Sequence, residues 1–276
     1  MNVRATQRDA PAANGAGVAA LPLAPADGAG RYAWLAMTEP VIPEPAPPAP
    51  ATVTGVPERA VTQPGTPAVT TIVHLVRHGE VANPAGIIYG RIPGYHLSDD
   101  GRVMAKAAAD FLAGRDITVL RSSPLDRARQ TAEPIAAQLG LEVEIDDRLI
   151  EPWNHFEGMA FGVGDGSLRN PRHWLALRNP LRPSWGEPYD EVAQRMLAAA
   201  ADAASAGAGH EVVCVSHQLP IWVARRSAEG RRLWHDPRRR ECALGSVTSL
   251  RYTGRNLTGV SYAAPSGPGH GQIAGA

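Results

Sequence analysis

The chain has 276 residues, enough for one large domain or two small ones with a substantial hydrophobic core. Basic and acidic residues number 27 each, so the formal net charge is zero and no overall field attracts nucleic acid or a membrane. The two cysteines do not form the pattern of a disulfide framework, and no apolar stretch is long enough to cross a bilayer. Because the N-terminus also lacks a secretory pattern, we expect a cytoplasmic protein.

The first quarter of the chain has an unusual composition. Ala, Pro and Gly dominate residues 1–69, and the densest proline run is Pro40–Pro50. Such a segment buries too little apolar surface to offset the entropy lost on ordering, so it is predicted to be disordered or extended. We therefore expect one folded domain at 70–264 and a flexible C-terminal tail at 265–276.

The domain begins with alternating strand and helix signals. The apolar, largely β-branched run Thr71–Val76 predicts a buried strand. After a loop rich in Gly and Pro, Ser98 is placed to cap a helix that ends at Gly114. Ile117–Leu120 is the next predicted strand.

The alternation continues around one long irregular stretch. Ser123 is predicted to cap a second helix that has Pro124 at its first position and ends at Gly140. Leu141–Ile145 follows as a short alternating strand. Residues 146–188 are too many for an ordinary connection, so this stretch is expected to be a functional lid or insertion.

The last elements complete the pattern of an α/β domain. They are a helix at Tyr189–Ala206, a strand at His210–Ser216, a helix opened by Pro220, and a hairpin around Thr253–Asn256. Strands that alternate with helices predict a three-layer α/β/α fold with a mostly parallel central sheet.

Two of the predicted strands end in histidine. His78 follows the first strand, and His217 follows the strand that ends at Ser216. If these strands are parallel neighbours, both imidazoles emerge at the carboxyl edge of the sheet, where ligands bind in open α/β folds. A single strand-end histidine is more often structural, whereas two at matched strand ends favour catalysis. Arg77 and the helix-borne Arg127 are suited to hold an anion there.

These residues belong to a series of motifs, and the stretch between Thr71 and Ala263 resembles the histidine phosphatase superfamily, the phosphoglycerate-mutase-like fold. The matching motifs are Arg77–Glu80, Gly90-Arg91, Leu97–Gly101, Ser122–Thr131, the Glu151 loop, Gly186-Glu187 and Val215–His217. The resemblance implies action on a small phosphorylated substrate with no cofactor and no metal.

The resemblance also implies roles for individual residues. His78 would be the nucleophile that becomes phosphohistidine, and Glu151 would protonate the leaving alkoxide and then activate water. Arg77, Arg127 and His217 would form the cationic cradle for the phosphoryl oxygens, because phosphoryl transfer places negative charge on those oxygens.

Candidate substrate-binding residues are Asn83, Arg91, Glu157 and Arg182. Asn83 lies one residue closer to His78 than the asparagine usual in the family. The Glu151 loop is about one residue shorter than common versions, which leaves Glu157 as an alternative proton donor. Arg182 belongs to a stretch with several arginines and tryptophans, which suits a second anionic group or a planar ring, or else is a surface insertion.

The residues after Glu151 bear on the reaction type. Mutases of this family typically continue with Arg-His-Tyr-Gly, whereas this chain continues with Pro152–His155. We therefore expect a phosphomonoesterase, with a mutase-type phosphotransferase or a catalytically silent scaffold or sensor as alternatives. Gln218 stands where glycine usually follows the second histidine, which alters the pocket wall. Arg238–Arg240 is a local basic spot, and the zero net charge argues against nucleic-acid binding there.

Overall fold

The computed structural model of the chain describes residues 69–160, 173, 179 and 185–267. The strands of this part are β1 (Thr70–Arg77), β2 (Ile117–Ser122), β3 (Glu144–Ile145), β4 (Glu211–Ser216), β5 (Val247–Thr253) and β6 (Asn256–Ala263). The α-helices of the same part are α1 (Asp99–Leu112), α2 (Asp126–Leu139), α3 (Tyr189–Ala206) and α4 (Gln218–Ala228). The predicted tail before residue 69 and the residues after 267 lie outside the described ranges, and so does Arg182.

The strands form one sheet in the order β3-β2-β4-β1-β5-β6. β1, β2, β3 and β4 are paired in parallel, and β5 runs antiparallel to both β1 and β6. The predicted mostly parallel sheet is therefore confirmed, and so is the hairpin, which β5 and β6 form.

Helices cover both faces of the sheet, because side chains of successive strand residues point to opposite sides. On one face, Val213 and Val215 of β4 belong to a buried cluster with residues of α1 and α2. On the other face, Val212 and Cys214 pack with residues of α3 and α4. Burial on both faces explains why β4 is an almost continuous apolar run. The three-layer α/β/α prediction is confirmed.

Local signals placed some helix ends better than others. Ser98 caps α1 as predicted, since its Oγ accepts a hydrogen bond from the Gly101 N–H at 3.0 Å. The prediction for α2 was wrong by a few residues: its N-cap is Leu125, and the Ser123 hydroxyl instead bonds His217 Nε2 at 2.8 Å. α4 begins two residues before Pro220, which still lies in the first turn, where a missing N–H breaks no helical bond.

The third strand is shorter than predicted. Only Glu144 and Ile145 pair with β2, through Arg121 and Ser122. The chain then turns into a short 3₁₀ helix at Asp147–Leu149, which leads directly to the Glu151 loop. None of the helices in the described ranges is long and apolar enough to cross a membrane.

Candidate active site

The carboxyl ends of β1 and β4 bring two histidines together. Arg77 of β1 is the register partner of Ser216 of β4, and the His78 N–H donates to the Ser216 carbonyl at 3.1 Å. His78 and His217 therefore follow their strands at the same level, with ring centroids 5.1 Å apart. Both side chains are buried. The matched strand ends thus meet at the sheet edge where ligands bind in α/β folds.

A backbone contact determines which nitrogen of His78 carries a proton. Nδ1 lies 2.7 Å from the Gly79 carbonyl oxygen. A carbonyl only accepts, so Nδ1 must be the protonated nitrogen and the neutral ring keeps its lone pair on Nε2. Burial, followed by the charges of Arg127 and Arg77, holds the pKa of His78 well below its usual value. The geometry and the electrostatics thus both favour a neutral ring with a free lone pair on Nε2.

The loop after His78 is held by close backbone packing. The Gly79 N–H donates to Thr131 Oγ1 at 3.1 Å, and the Thr131 hydroxyl donates to the Arg127 carbonyl at 2.8 Å. A Cβ at Gly79 would overlap the carbonyl oxygen of Gly101 in α1. This contact requires glycine at position 79 and ties His78 to the first turns of both α1 and α2.

Two buried arginines lie in the same site. Arg77 donates from Nη1 to the Cys242 carbonyl at 2.7 Å, and Arg127 donates from Nη2 to the Gly90 carbonyl at 2.7 Å. Arg127 also stacks over the Tyr89 ring, 4.8 Å from its centroid. Within the described ranges, neither guanidinium has a carboxylate partner within 4 Å, and neither Nε has a hydrogen-bond partner. Buried cations in this state favour an anionic ligand.

Glu151 lies beside His217 in this cluster. Its Oε2 is 3.7 Å from His217 Nδ1, and its side chain is buried. Burial raises the pKa of the Glu151 carboxyl, although Arg127, Arg240, Arg77 and Arg195 oppose the shift. A carboxyl group with a raised pKa is suited to donate a proton. Burial has the opposite effect on His217, whose protonated form is the charged one: it lowers the pKa of His217, and Arg127 lowers it further.

Ion pairs outside the cluster hold the Glu151 backbone in place. Arg91 donates from Nε to the Glu151 carbonyl at 2.5 Å, and its Nη2 lies 3.3 Å from Glu187 Oε2. Arg195 of α3 binds the same carboxylate with Nε and Nη2, at 2.6 and 3.0 Å. Arg91, predicted to bind substrate, thus contacts the loop of the candidate proton donor.

Asn83 and Glu157, two other residues predicted to bind substrate, contact the backbone of their own loops. Both polar atoms of the Asn83 side chain bond the Ile87 backbone, at 2.8 and 3.2 Å, and so brace their own loop. Glu157 accepts from the Asn154 N–H at 3.1 Å, within its own turn. Glu157 also lies against Gly90, where a Cβ would overlap its carboxylate. Glu151 and not Glu157 is therefore the carboxylate placed beside His217.

Three residues of the site were not predicted there from the sequence. The sequence predicts Ser123 only as a helix cap, contains Thr131 within a longer motif, and has Arg240 in a local basic spot. The site positions of Ser123 and Thr131 follow from their places after β2 and on the first turns of α2. For Arg240 no sequence pattern distinguishes it from Arg238. In the described part of the chain, no three His, Cys, Asp or Glu side chains cluster to form a metal site.

Comparison with known proteins shows which proteins the chain resembles in sequence. The uncharacterized protein Rv0525 of Mycobacterium tuberculosis is 60% identical over 196 residues, which is 71% of this chain and 97% of that protein. The glucosyl-3-phosphoglycerate phosphatase of Mycolicibacterium vanbaalenii is 35% identical over 156 residues, 52% of this chain and 67% of that protein.

The fold and the family model agree with these relatives. The native structure of the mycobacterial glucosyl-3-phosphoglycerate phosphatase Rv2419c matches with a TM-score of 0.57 at 24% identity, covering 71% of this chain and 98% of that one. This likeness supports the fold. The model of the histidine phosphatase superfamily (branch 1) matches residues 73–264. The chain belongs to the histidine phosphatase superfamily.

Proposed function

We propose that the protein is a phosphomonoesterase that hydrolyses a small phosphorylated metabolite through a phosphohistidine at His78. The observation that carries this proposal is the state of His78: a neutral ring with a free Nε2 lone pair, buried together with the guanidiniums of Arg77 and Arg127. A neutral imidazole attacks phosphorus, and fixed cations bind the oxygens on which negative charge develops. The proposed reaction takes place in the cytoplasm and needs no metal ion.

The proposed reaction has two displacements. In the first, the Nε2 lone pair of His78 forms the N–P bond while the ester P–O bond breaks, and the Glu151 carboxyl gives its proton to the leaving alkoxide. In the second, a water oxygen attacks phosphorus, its proton passes to the Glu151 carboxylate, and the electrons of the N–P bond return to Nε2. The net change is hydrolysis of a phosphate monoester, and both groups regain their starting states.

The surrounding residues have supporting roles in this proposal. Arg77, Arg127 and His217 bind the phosphoryl oxygens, and their hydrogen bonds to Cys242, Gly90 and Ser123 fix them before substrate arrives. Binding groups that are already oriented need no reorganisation in the transition state. The name of the 35% identical relative, a glucosyl-3-phosphoglycerate phosphatase, supports hydrolysis as the reaction type.

The test is phosphate release from p-nitrophenyl phosphate by the full-length chain and by His78→Ala. We expect the variant to lose at least about 10³-fold in kcat, since removal of a covalent nucleophile leaves only binding and electrostatic contributions. His96→Ala is the matched control, because His96 is exposed. Mass spectrometry after alkaline quenching should find phosphate on His78. Unchanged turnover by His78→Ala would contradict the proposal.

A further inference from the structure

Three consecutive arginines, Arg238–Arg240, have different surroundings. The side chain of Arg238 is 87% exposed and pairs with Asp236 at 2.9 Å. Arg239 is also exposed. Arg240 follows the short 3₁₀ helix Pro237–Arg239 and directs its guanidinium toward the start of α4. A run that resembles a solvated basic patch in the sequence thus places one member against the candidate active site.

The guanidinium of Arg240 has several hydrogen-bond partners beside the candidate active site. Nη1 donates to Gln218 Oε1 at 3.1 Å, and the Tyr189 hydroxyl also hydrogen-bonds Arg240. Nε donates to His235 Nε2 at 2.9 Å. Burial lowers the pKa of His235 to about 4, and its Nδ1–H donates to the Leu233 carbonyl at 2.7 Å, so Nε2 is an acceptor. Gln218, unusual at this position in the family, is thus a positioning residue for Arg240.

The segment that contains Arg240 forms a wall of the site. Two residues further on, the Cys242 carbonyl accepts from Arg77, and the Gly245 N–H donates to the His78 carbonyl at 3.3 Å. Gln218 directly follows His217. His217 in turn lies beside Glu151, with 3.7 Å between its Nδ1 and Glu151 Oε2. The charge of Arg240 also opposes the rise that burial causes in the pKa of Glu151. Arg240 therefore lies near both Glu151 and the phosphoryl-binding residues.

This position has a chemical consequence if the proposed function is right. Arg77 and Arg127 lie with the nucleophile and bind phosphoryl oxygens, whereas Glu151 serves the oxygen that leaves. A cation held beside Glu151 is then next to the alcohol part of the substrate. A fixed guanidinium at that place matches a carboxylate or similar anion close to the ester oxygen.

We propose that Arg240 is a specificity-determining residue, which binds an anionic group on the alcohol part of the substrate. The proposal rests on the proposed function for the direction in which the ester lies. It predicts that the protein prefers phosphate monoesters that carry a carboxylate a few bonds from the phosphate. Arg238, two residues away in the same run, has no part in this selection.

Binding measurements without turnover test the proposal. The full-length chain with His78→Ala is titrated calorimetrically with two matched pairs of ligands: 2-phosphoglycolate against ethyl phosphate, and 3-phosphoglycerate against glycerol 3-phosphate. In each pair the first ligand has a carboxylate that the second lacks. We expect at least about tenfold tighter binding of the carboxylate ligand in one or both pairs, as for loss of one charge-assisted contact.

The variants then assign the preference to one side chain. Adding Arg240→Met should abolish it while the affinity for the ligands without carboxylate changes less than about threefold, and Arg240→Lys should keep part of it. Adding Arg238→Met should leave it intact. Equal weakening of both members of a pair by Arg240→Met would indicate a structural role and overturn the proposal, as would a parent protein without preference. Because binding is measured without turnover, failure of the His78 hydrolysis test is a separate outcome.

Discussion

At the residue scale, the chemistry of the site depends on the protonation of single atoms. His78 is useful as a nucleophile only when Nε2 is free, and the Gly79 carbonyl secures this by holding the proton on Nδ1. Burial, followed by the charges of Arg127 and Arg77, lowers the pKa of His78, so the cations proposed to bind phosphate also favour the neutral ring. Glu151 is shifted in the opposite direction by burial. A histidine shifted toward its neutral form and a carboxyl shifted toward its protonated form are the pair that the proposed reaction needs.

A substitution of Glu151 should show its role through the leaving group. In Glu151→Gln, we expect kcat/KM for an alkyl phosphate, which reports the first displacement, to fall by about 10²–10⁴-fold, the usual contribution of a general acid. The kcat/KM for p-nitrophenyl phosphate should fall much less, because p-nitrophenolate leaves without a proton. Steady-state rates on both substrates give this comparison directly.

Glu157→Gln is the control for this prediction. Glu157 contacts the Asn154 N–H and Gly90, so its replacement should affect both substrates alike and not depend on the leaving group. If the leaving-group dependence follows Glu157 and not Glu151, the roles of the two carboxylates are reversed.

Individual site residues differ in how far the sequence could predict them. His78 and His217 were predictable because each follows an apolar run, and parallel strands bring their carboxyl ends to one edge. Arg240 was not, because its inward direction depends on a turn at Asp236–Arg239 and on Gln218, a partner 22 residues earlier. Contacts between such distant residues depend on the packed fold and leave no periodic pattern in the sequence.

At the element scale, the contact between the loop after β1 and the start of α1 positions His78. Glu80 accepts from the Ser98 hydroxyl at 2.7 Å, and its carbonyl accepts from the Ser98 N–H at 3.0 Å. Gly79 and Gly101 allow the two backbones to approach each other. The Arg77–Glu80 and Leu97–Gly101 motifs therefore form one packed unit.

Replacement of Gly101 tests this close approach. Gly→Ala inside a helix normally stabilises by about 0.5–1 kcal/mol. Here a Cβ would overlap the Glu80 backbone, so we expect Gly101→Ala to destabilise the protein by about 1–3 kcal/mol, the usual cost of overpacking. Chemical denaturation measures the free energy of unfolding of the variant and the parent.

A second glycine gives the matched control. At Gly259 in β6 the Cβ would meet only Arg251 Cβ at 3.8 Å, an ordinary contact. Gly259→Ala should therefore leave the stability unchanged or raise it. A rise in stability for Gly101→Ala would mean that α1 can move away from Glu80 at little cost, and the two motifs would not be one rigid unit.

The elements themselves were largely predictable, with errors at their ends. The cap of α1 followed from a local rule, because Ser98 bonds a residue three positions away. The start of α2 did not, because Ser123 is recruited by His217, which is 94 residues later. Likewise β3 is limited to two residues by its pairing with β2. Contacts between distant residues thus override local preference at the carboxyl edge of the sheet.

At the scale of the whole molecule, buried histidines link stability to pH. His74, His78, His217 and His235 are all buried, and burial is the largest cause that lowers the pKa of each below 6.5. Their partners do not reverse the shift. His74, for example, remains lowered although its Nε2 lies 2.6 Å from Glu211.

The sign of the linkage follows from proton binding. Below a pH of about 6.5 the unfolded chain protonates these histidines, whereas the folded protein resists protonation until the lower folded pKa values are reached. Their contribution to stability is therefore complete above that pH and is lost as the pH falls. Glu151 acts in the opposite direction, because its folded pKa is raised and the folded state takes up its proton first.

We therefore expect the free energy of unfolding to decrease as the pH falls from 7 to 5, by up to about 1.4 kcal/mol per pH unit for each net proton taken up on unfolding. Urea denaturation at several pH values measures this slope. His74→Gln should reduce this slope by up to the contribution of one proton. His74 lies in β1 and has no part in the proposed reaction, so its replacement tests the linkage without changing the candidate active site. An unaltered slope in His74→Gln would show that His74 is protonated equally in both states and would contradict the prediction.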